Sequence, residues 1–170
     1  IYGTDDETLA SYLGKELLRT ESTIAFAESC TGGLASSLVT DVPGSSEYLL
    51  GSAVTYSNMA KHKLINVSEE SLEAYGAVSW QVACEMAQGV RELFSTTYGV
   101  GITGIAGPGG ATEDKPVGLV YMAVADADGV KWAKHIFGGT RTDNKMRSAL
   151  TAISMVIDRI KEKETENKDK

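Results

Sequence analysis

Twice within its first 65 residues the chain runs from a short strand-forming stretch, through a turn of hydroxyl residues or glycine, into a segment with helical spacing. Ile24 and Phe26 lead to a turn over 28–31, and Gly32 and Gly33 then open an apolar segment over 34–39. Val54, Thr55 and Tyr56 end a second strand-like stretch over 48–56, after which Ser57 and Asn58 offer a cap for a helix reaching residue 64. A backbone that alternates between the two periods builds a sheet with helices packed on it, because each apolar strip must be covered. The expected class is α/β.

The remaining segments fit that frame. Thr4 followed by Asp5, Asp6 and Glu7 predicts a helix N-terminus, and Leu9, Tyr12, Leu13 and Leu17 recur at helical spacing to near Thr20. Ser68 with Glu69 and Glu70 starts a short helix stopped by Gly76, and Ser79 caps another that carries Val82, Met86, Val90 and Leu93 on one face. Residues 98–105 read as a strand entering Gly107, Pro108, Gly109 and Gly110, while 117–125 and 130–137 flank an Asp128-Gly129 turn as a hairpin. The last helix is predicted from Thr142 or Asp143, with Met146, Leu150, Ile153, Val156, Ile157 and Ile160 inward. It is expected to dissolve into a solvated charged tail over 161–170. No repeat or linker divides the chain. The expectation is a single layered α/β/α domain with a mixed sheet over 1–160, with ligands where strands end and helices begin.

Length and charge narrow the function. At 170 residues the chain can bury a core without disulfide or metal staples. Sixteen Lys and Arg against 23 Asp and Glu leave a net charge of −7, which argues against a surface that wraps nucleic-acid phosphates. Cys30 and Cys84 have no CxxC or Cys/His spacing for zinc, so no metal is expected and a reducing compartment is. No apolar run approaches membrane-spanning length and no signal-peptide pattern opens the chain, so a cytoplasmic location is expected. Because the chain begins at Ile1, it is expected to be a fragment of a longer product.

Four places could carry chemistry. Ser29, Cys30, Thr31, Gly32 and Gly33 form a turn whose backbone N–H groups could hold an anion, although the same pattern also serves as an ordinary helix cap. Lys61 lies one turn into the helix capped by Ser57, so its amine and the Tyr56 hydroxyl could share a strand-end cleft. There a hydrophobic wall would lower the lysine pKa toward neutrality, although a solvated surface lysine is the commoner case. Ser46, in the tight turn after Gly44 and Ser45, could be activated by Lys61 without histidine if the two lie within reach. Thr103, Gly104, Gly107 and Gly109 belong to a glycine-dense strand end that matches neither a P-loop nor a dinucleotide fingerprint but reads as a ligand-facing loop. Arg141, at the start of the last helix, is a candidate clamp for phosphate or carboxylate.

Taken together, AESCTGG (27–33), PGSS (43–46), VTYSNMAK (54–61), YGAVS (75–79) and TGIAGPGG followed by KPVG closely resemble the CinA C-terminal domain family, in order and over about 150 residues. The resemblance implies a nicotinamide-nucleotide amidase that converts nicotinamide mononucleotide and water to nicotinic acid mononucleotide and ammonia, with no metal or organic cofactor. It implies Ser46 as nucleophile, Lys61 as general base and Tyr56 as the hydroxyl that orients or relays the proton, with Ser29 the alternative nucleophile. The 29–33 turn and the 103–110 loop would hold substrate and supply oxyanion donors, and Arg141 would contact its phosphate. The opening residues look like the junction of two-domain members, where a nucleotide-pyrophosphatase-like domain lies upstream. A non-catalytic nucleotide-binding or assembly domain is the rival reading. The expected partners are the small-molecule substrate and further copies of the chain, with neither membrane nor nucleic acid bound directly.

Overall fold

The computed structural model describes residues 7–169, so the predicted cap at Thr4 and the acidic pair after it lie outside the described residues. The first helix, α1 (Leu9–Arg19), is instead capped by Thr8, whose hydroxyl accepts the Ser11 N–H while the Ser11 hydroxyl accepts the Thr8 N–H. This reciprocal pair satisfies two of the donors that every helix N-terminus leaves open. Next come β1 (Ile24–Glu28), α2 (Leu34–Thr40), a single 3-10 turn (Ser45–Glu47), β2 (Leu49–Val54), α3 (Asn58–Ile65), α4 (Glu69–Tyr75) and α5 (Trp80–Phe94). They are followed by β3 (Tyr98–Gly104), β4 (Leu119–Asp126), β5 (Gly129–Ile136) and α6 (Arg141–Lys168). The caps at Ser57, Ser68 and Ser79 stand where the sequence places them, each accepting a backbone N–H three residues on.

The five strands form one sheet in the order β2-β1-β3-β4-β5. β1 is parallel to both β2 and β3, whereas β4 and β5 continue antiparallel as the predicted hairpin. The mixed sheet and layered α/β arrangement are as expected. On one face Phe26, Val100, Ile102, Met122 and Val124 meet Leu13 and Leu17 of α1, Val39 of α2 and Ile153, Val156 and Ile157 of α6. The other face is built of small residues. Ala25 and Ala27 pack near Val82 and Met86, and Ala123 and Ala125 pack against Ala83 and Ala87, so α5 lies close against the strands. Gly101 sets that approach, since a Cβ there would run into the Ala83 carbonyl oxygen and the Ala87 nitrogen.

The tail differs from the expectation. α6 runs 28 residues, to Lys168, and does not dissolve at Lys161. Its last turns are tethered by charge rather than by apolar burial: Arg159 donates to the buried Asp126 at 2.8 Å, Lys163 stands 3.4 Å from Asp128, and Arg19 pairs with Glu164. Burial opposes the charge on Asp126, yet the hydrogen bonds from Arg159 and from the Asp128 N–H, with the nearby Lys163, hold its pKa below the usual carboxylate range.

Two substitutions report on this packing. Gly101→Ala is expected to destabilise the fold by about 2 kcal/mol or more, because helix backbone cannot yield as a side chain does, and a lowered urea midpoint would show it. Arg159→Ala leaves Asp126 buried without its partner and is expected to cost about 3 kcal/mol near neutral pH. That cost should shrink as acid protonates Asp126, so the two proteins' urea midpoints should converge at low pH.

Candidate active site

Parallel pairing brings the C-terminal ends of β1, β2 and β3 to one side of the sheet, and the segments that follow them build a cavity of about 430 Å³. Ser29 and Cys30 come from the end of β1, Tyr56 and Lys61 from the β2–α3 connection, Ala77 and Val78 from the approach to α5. Thr103, Gly104, Gly107 and Gly109 come from β3 and its loop, and Arg141 from the start of α6. A volume of this size suits a small organic ligand. A larger depression, about 490 Å³, lies at the opposite end of the sheet between α5 and the β4–β5 turn. It gathers Glu85, Glu92, Asp128 and Arg91 without a hydroxyl–amine pair, so the first cavity is the candidate site.

Lys61 is the centre of that cavity. It sits in the first turn of α3, from which a long side chain points back toward the helix N-terminus. Its Nζ thereby reaches the Thr55 carbonyl at 2.7 Å, the Tyr56 carbonyl at 3.2 Å and Ser29 Oγ at 2.9 Å. Only 1% of the residue is exposed, and burial lowers its pKa to about 8. A neutral amine has two N–H bonds and one lone pair. With the two carbonyls taking the N–H bonds, the lone pair is left facing the Ser29 hydroxyl, which is the arrangement of a base and its nucleophile.

Ser46 does not join this group. It is exposed on the 3-10 turn that enters β2, and the six residues of that strand separate it from the cavity by about 20 Å. The expectation of a Ser46–Lys61 pair is therefore corrected: a turn before a parallel strand lies at the end of the sheet opposite a residue after it. Ser29, the alternative, is the hydroxyl in contact. The Tyr56 hydroxyl is not on the Lys61 amine either, because it accepts from Arg141 Nη2 at 3.1 Å while Nη1 donates to the Gly107 carbonyl at 2.8 Å. Arg141 thus ties two walls of the cavity together at its mouth. Thr103 lines the cavity with its hydroxyl donated to the Ala77 carbonyl.

Thr31, Gly32 and Gly33 shape the turn rather than the cavity wall. Gly32 and Gly33 take positive φ, +62° and +102°, where glycine is favoured, and Thr31 donates to the Glu28 carboxylate at 2.7 Å. Cys30 does line the cavity, but burial pushes its thiol up to about 12, so it is protonated at neutral pH and no nucleophile. Glu28 and Asn144 are supports that motif reading passed over. Asn144 holds the Ala106 carbonyl at 2.9 Å, and its position in the first turn of α6 was the available signal. Among the described residues no group of three His, Cys, Asp or Glu side chains could hold a metal ion, and no helix is long and apolar enough to cross a membrane.

The sequence model of the CinA C-terminal domain matches residues 6–160, a span that contains every segment of this cavity. The chain belongs to the CinA C-terminal domain family. It is 49% identical over 156 residues to a CinA-like protein of Endomicrobium trichonymphae, with 92% of this chain covered. It spans only 36% of that relative's length. A CinA-like protein of Gloeothece citriformis is 44% identical over 162 residues, covering 95% of this chain and 39% of the relative. Among solved structures, the competence/damage inducible protein CihA from Agrobacterium tumefaciens superposes with a TM-score of 0.87 at 37% identity, covering 93% of this chain and 97% of that one. The layered fold is thus the CinA-superfamily fold.

The lowered Lys61 pKa makes a statement about stability. Below about pH 8 folding must bury an ammonium; between there and the ordinary lysine value of 10.5 the unfolded chain binds the extra proton, so the folded state gains as pH rises. The stability difference between wild type and Lys61→Met is therefore expected to move in favour of wild type from pH 8 to pH 10. Parallel urea titrations read it, and a pH-independent difference would contradict the burial argument.

Proposed function

We propose that this domain is a nicotinamide-nucleotide amidase in which Ser29 is the nucleophile and Lys61 the general base. The observation that carries the proposal is the 2.9 Å contact between Lys61 Nζ and Ser29 Oγ, with the other two directions of the amine filled by carbonyls. Neutral Lys61 takes the Oγ proton as Ser29 attacks the carboxamide carbon. The tetrahedral oxyanion would be met by backbone N–H groups of the cavity-lining segments, Cys30 and the 103–110 loop. Collapse breaks the C–N bond, and ammonia leaves with the proton carried by Lys61. Water then attacks the nicotinoyl ester with Lys61 again as base, the Ser29 oxygen recovers its proton, and nicotinic acid mononucleotide is released. Arg141 would meet the phosphate, a role supported by its place at the cavity mouth with Tyr56 beside it.

Ammonia release from nicotinamide mononucleotide tests the proposal. Ser29→Ala and Lys61→Ala are each expected to lower kcat by about 10³-fold or more, with the double variant no worse than either, as for groups acting as a unit. Ser46→Ala should stay within about twofold of wild type, since that exposed side chain lies at the far end of β2 from the cavity. The kcat profile should rise with pH through a midpoint near 8, following deprotonation of Lys61. Folded wild-type protein that binds the nucleotide without releasing ammonia would favour a binding domain instead.

A further inference from the structure

Glu28 is wholly buried at the end of β1, one residue before Ser29, and the scheme above gives it no role. Its carboxylate is saturated. Oε1 accepts from Thr31 Oγ1 at 2.7 Å and the Ala35 N–H at 2.8 Å, while Oε2 accepts from the Ser36 N–H at 3.0 Å and Ser36 Oγ at 2.5 Å. Four donors converge on its two oxygens, which occupies their acceptor capacity. The N-cap residue of α2, Gly33, has no side chain to cap with, and Glu28 reaches across the turn to satisfy the first-turn N–H groups in its place.

The backbone of the same residue reaches the other half of the site. The Glu28 carbonyl accepts the Thr55 N–H at 2.8 Å, and Thr55 is the residue whose own carbonyl holds Lys61 Nζ. The Ser29 N–H is fixed in turn to the Ile102 carbonyl at 3.0 Å. Glu28 therefore joins the turn that carries the nucleophile, the first turn of α2 and the strand end that carries the acceptor of the base.

We infer that Glu28 is a positioning residue for the reaction, its carboxylate clamping the 29–33 turn to α2 so that Ser29 Oγ is held against Lys61. This rests on the Ser29–Lys61 reading above. Glu28→Gln keeps the shape but turns two acceptor sites into N–H donors that face donors, forcing the turn outward. A turn that moves admits water to the buried amine, and the Lys61 midpoint then climbs toward that of an ordinary lysine.

The test compares wild type, Glu28→Gln, and the milder Thr31→Val and Ser36→Ala, each of which removes one donor and leaves the carboxylate. Two readouts are taken: steady-state kinetics on nicotinamide mononucleotide, and titration of Lys61 by NMR of ¹³C-labelled lysine, assigned with Lys61→Arg. Glu28→Gln is expected to lose about tenfold or more in kcat with KM within about twofold, and to raise the Lys61 midpoint by about one pH unit or more. Thr31→Val and Ser36→Ala should show smaller changes of the same sign, and they carry the test if Glu28→Gln fails to fold. Folded variants with the wild-type kcat and Lys61 midpoint, even with a lowered Tm, would overturn the inference, since a purely structural cap predicts that pattern. If wild type releases no ammonia yet the Lys61 midpoint moves as stated, the amidase reading falls and the clamp stands.

Discussion

Everything distinctive about this domain follows from burying one primary amine at the ends of parallel strands. An ammonium taken out of water is costly unless it is surrounded by acceptors, and Lys61 finds three: two consecutive backbone carbonyls and one hydroxyl. The carbonyls are available because β2 has ended and its next residues have no ladder partner to claim them. The hydroxyl is available because β1 ends one strand over, in register. Side-by-side parallel strands and a helix start that aims a lysine backward bring these acceptors together.

The two faces of the sheet divide the remaining work. One carries branched and aromatic side chains that fill the space beneath α1, α2 and α6. The other carries alanine and glycine, so that α5 lies close against the strands and its approach segment brings Ala77 and Val78 to the cavity wall. Arg141 and Asn144, both in the first turns of α6, hold the glycine-rich loop by the carbonyls of Gly107 and Ala106. The wall opposite Lys61 is thus attached to the long helix, while Gly107 and Gly110 within the loop take the positive φ that its turns need.

Much of this was legible in the residues. Serine caps fixed the starts of three helices to the residue, and the glycine-dense loop after β3 does face the cavity. The place of Lys61 in the strand-end cleft was visible because its distance from the Ser57 cap determines where it points. Ser46 misled because motif reading treats a turn as a place to find chemistry without asking which end of the sheet it occupies. The rule that ligands gather at the carboxyl ends of parallel strands, applied strictly, excludes a turn that precedes β2 and favours the residue that follows β1. The end of α6 was invisible for a different reason: its last turns are held by Arg159, Lys163 and Glu164 reaching charged groups far away in sequence, and no periodicity of apolar residues records such contacts.

The burial of Lys61 also bears on the chain before it has folded. In an extended polypeptide the amine is fully hydrated, its pKa returns to the ordinary lysine value, and Ser29 lies 32 residues away from it in sequence. The pairing of this amine with that hydroxyl does not exist until β1, β2 and α3 have docked. The serine–lysine contact is therefore acquired in the same cooperative step as the core, and in an incompletely folded chain the two side chains do not meet.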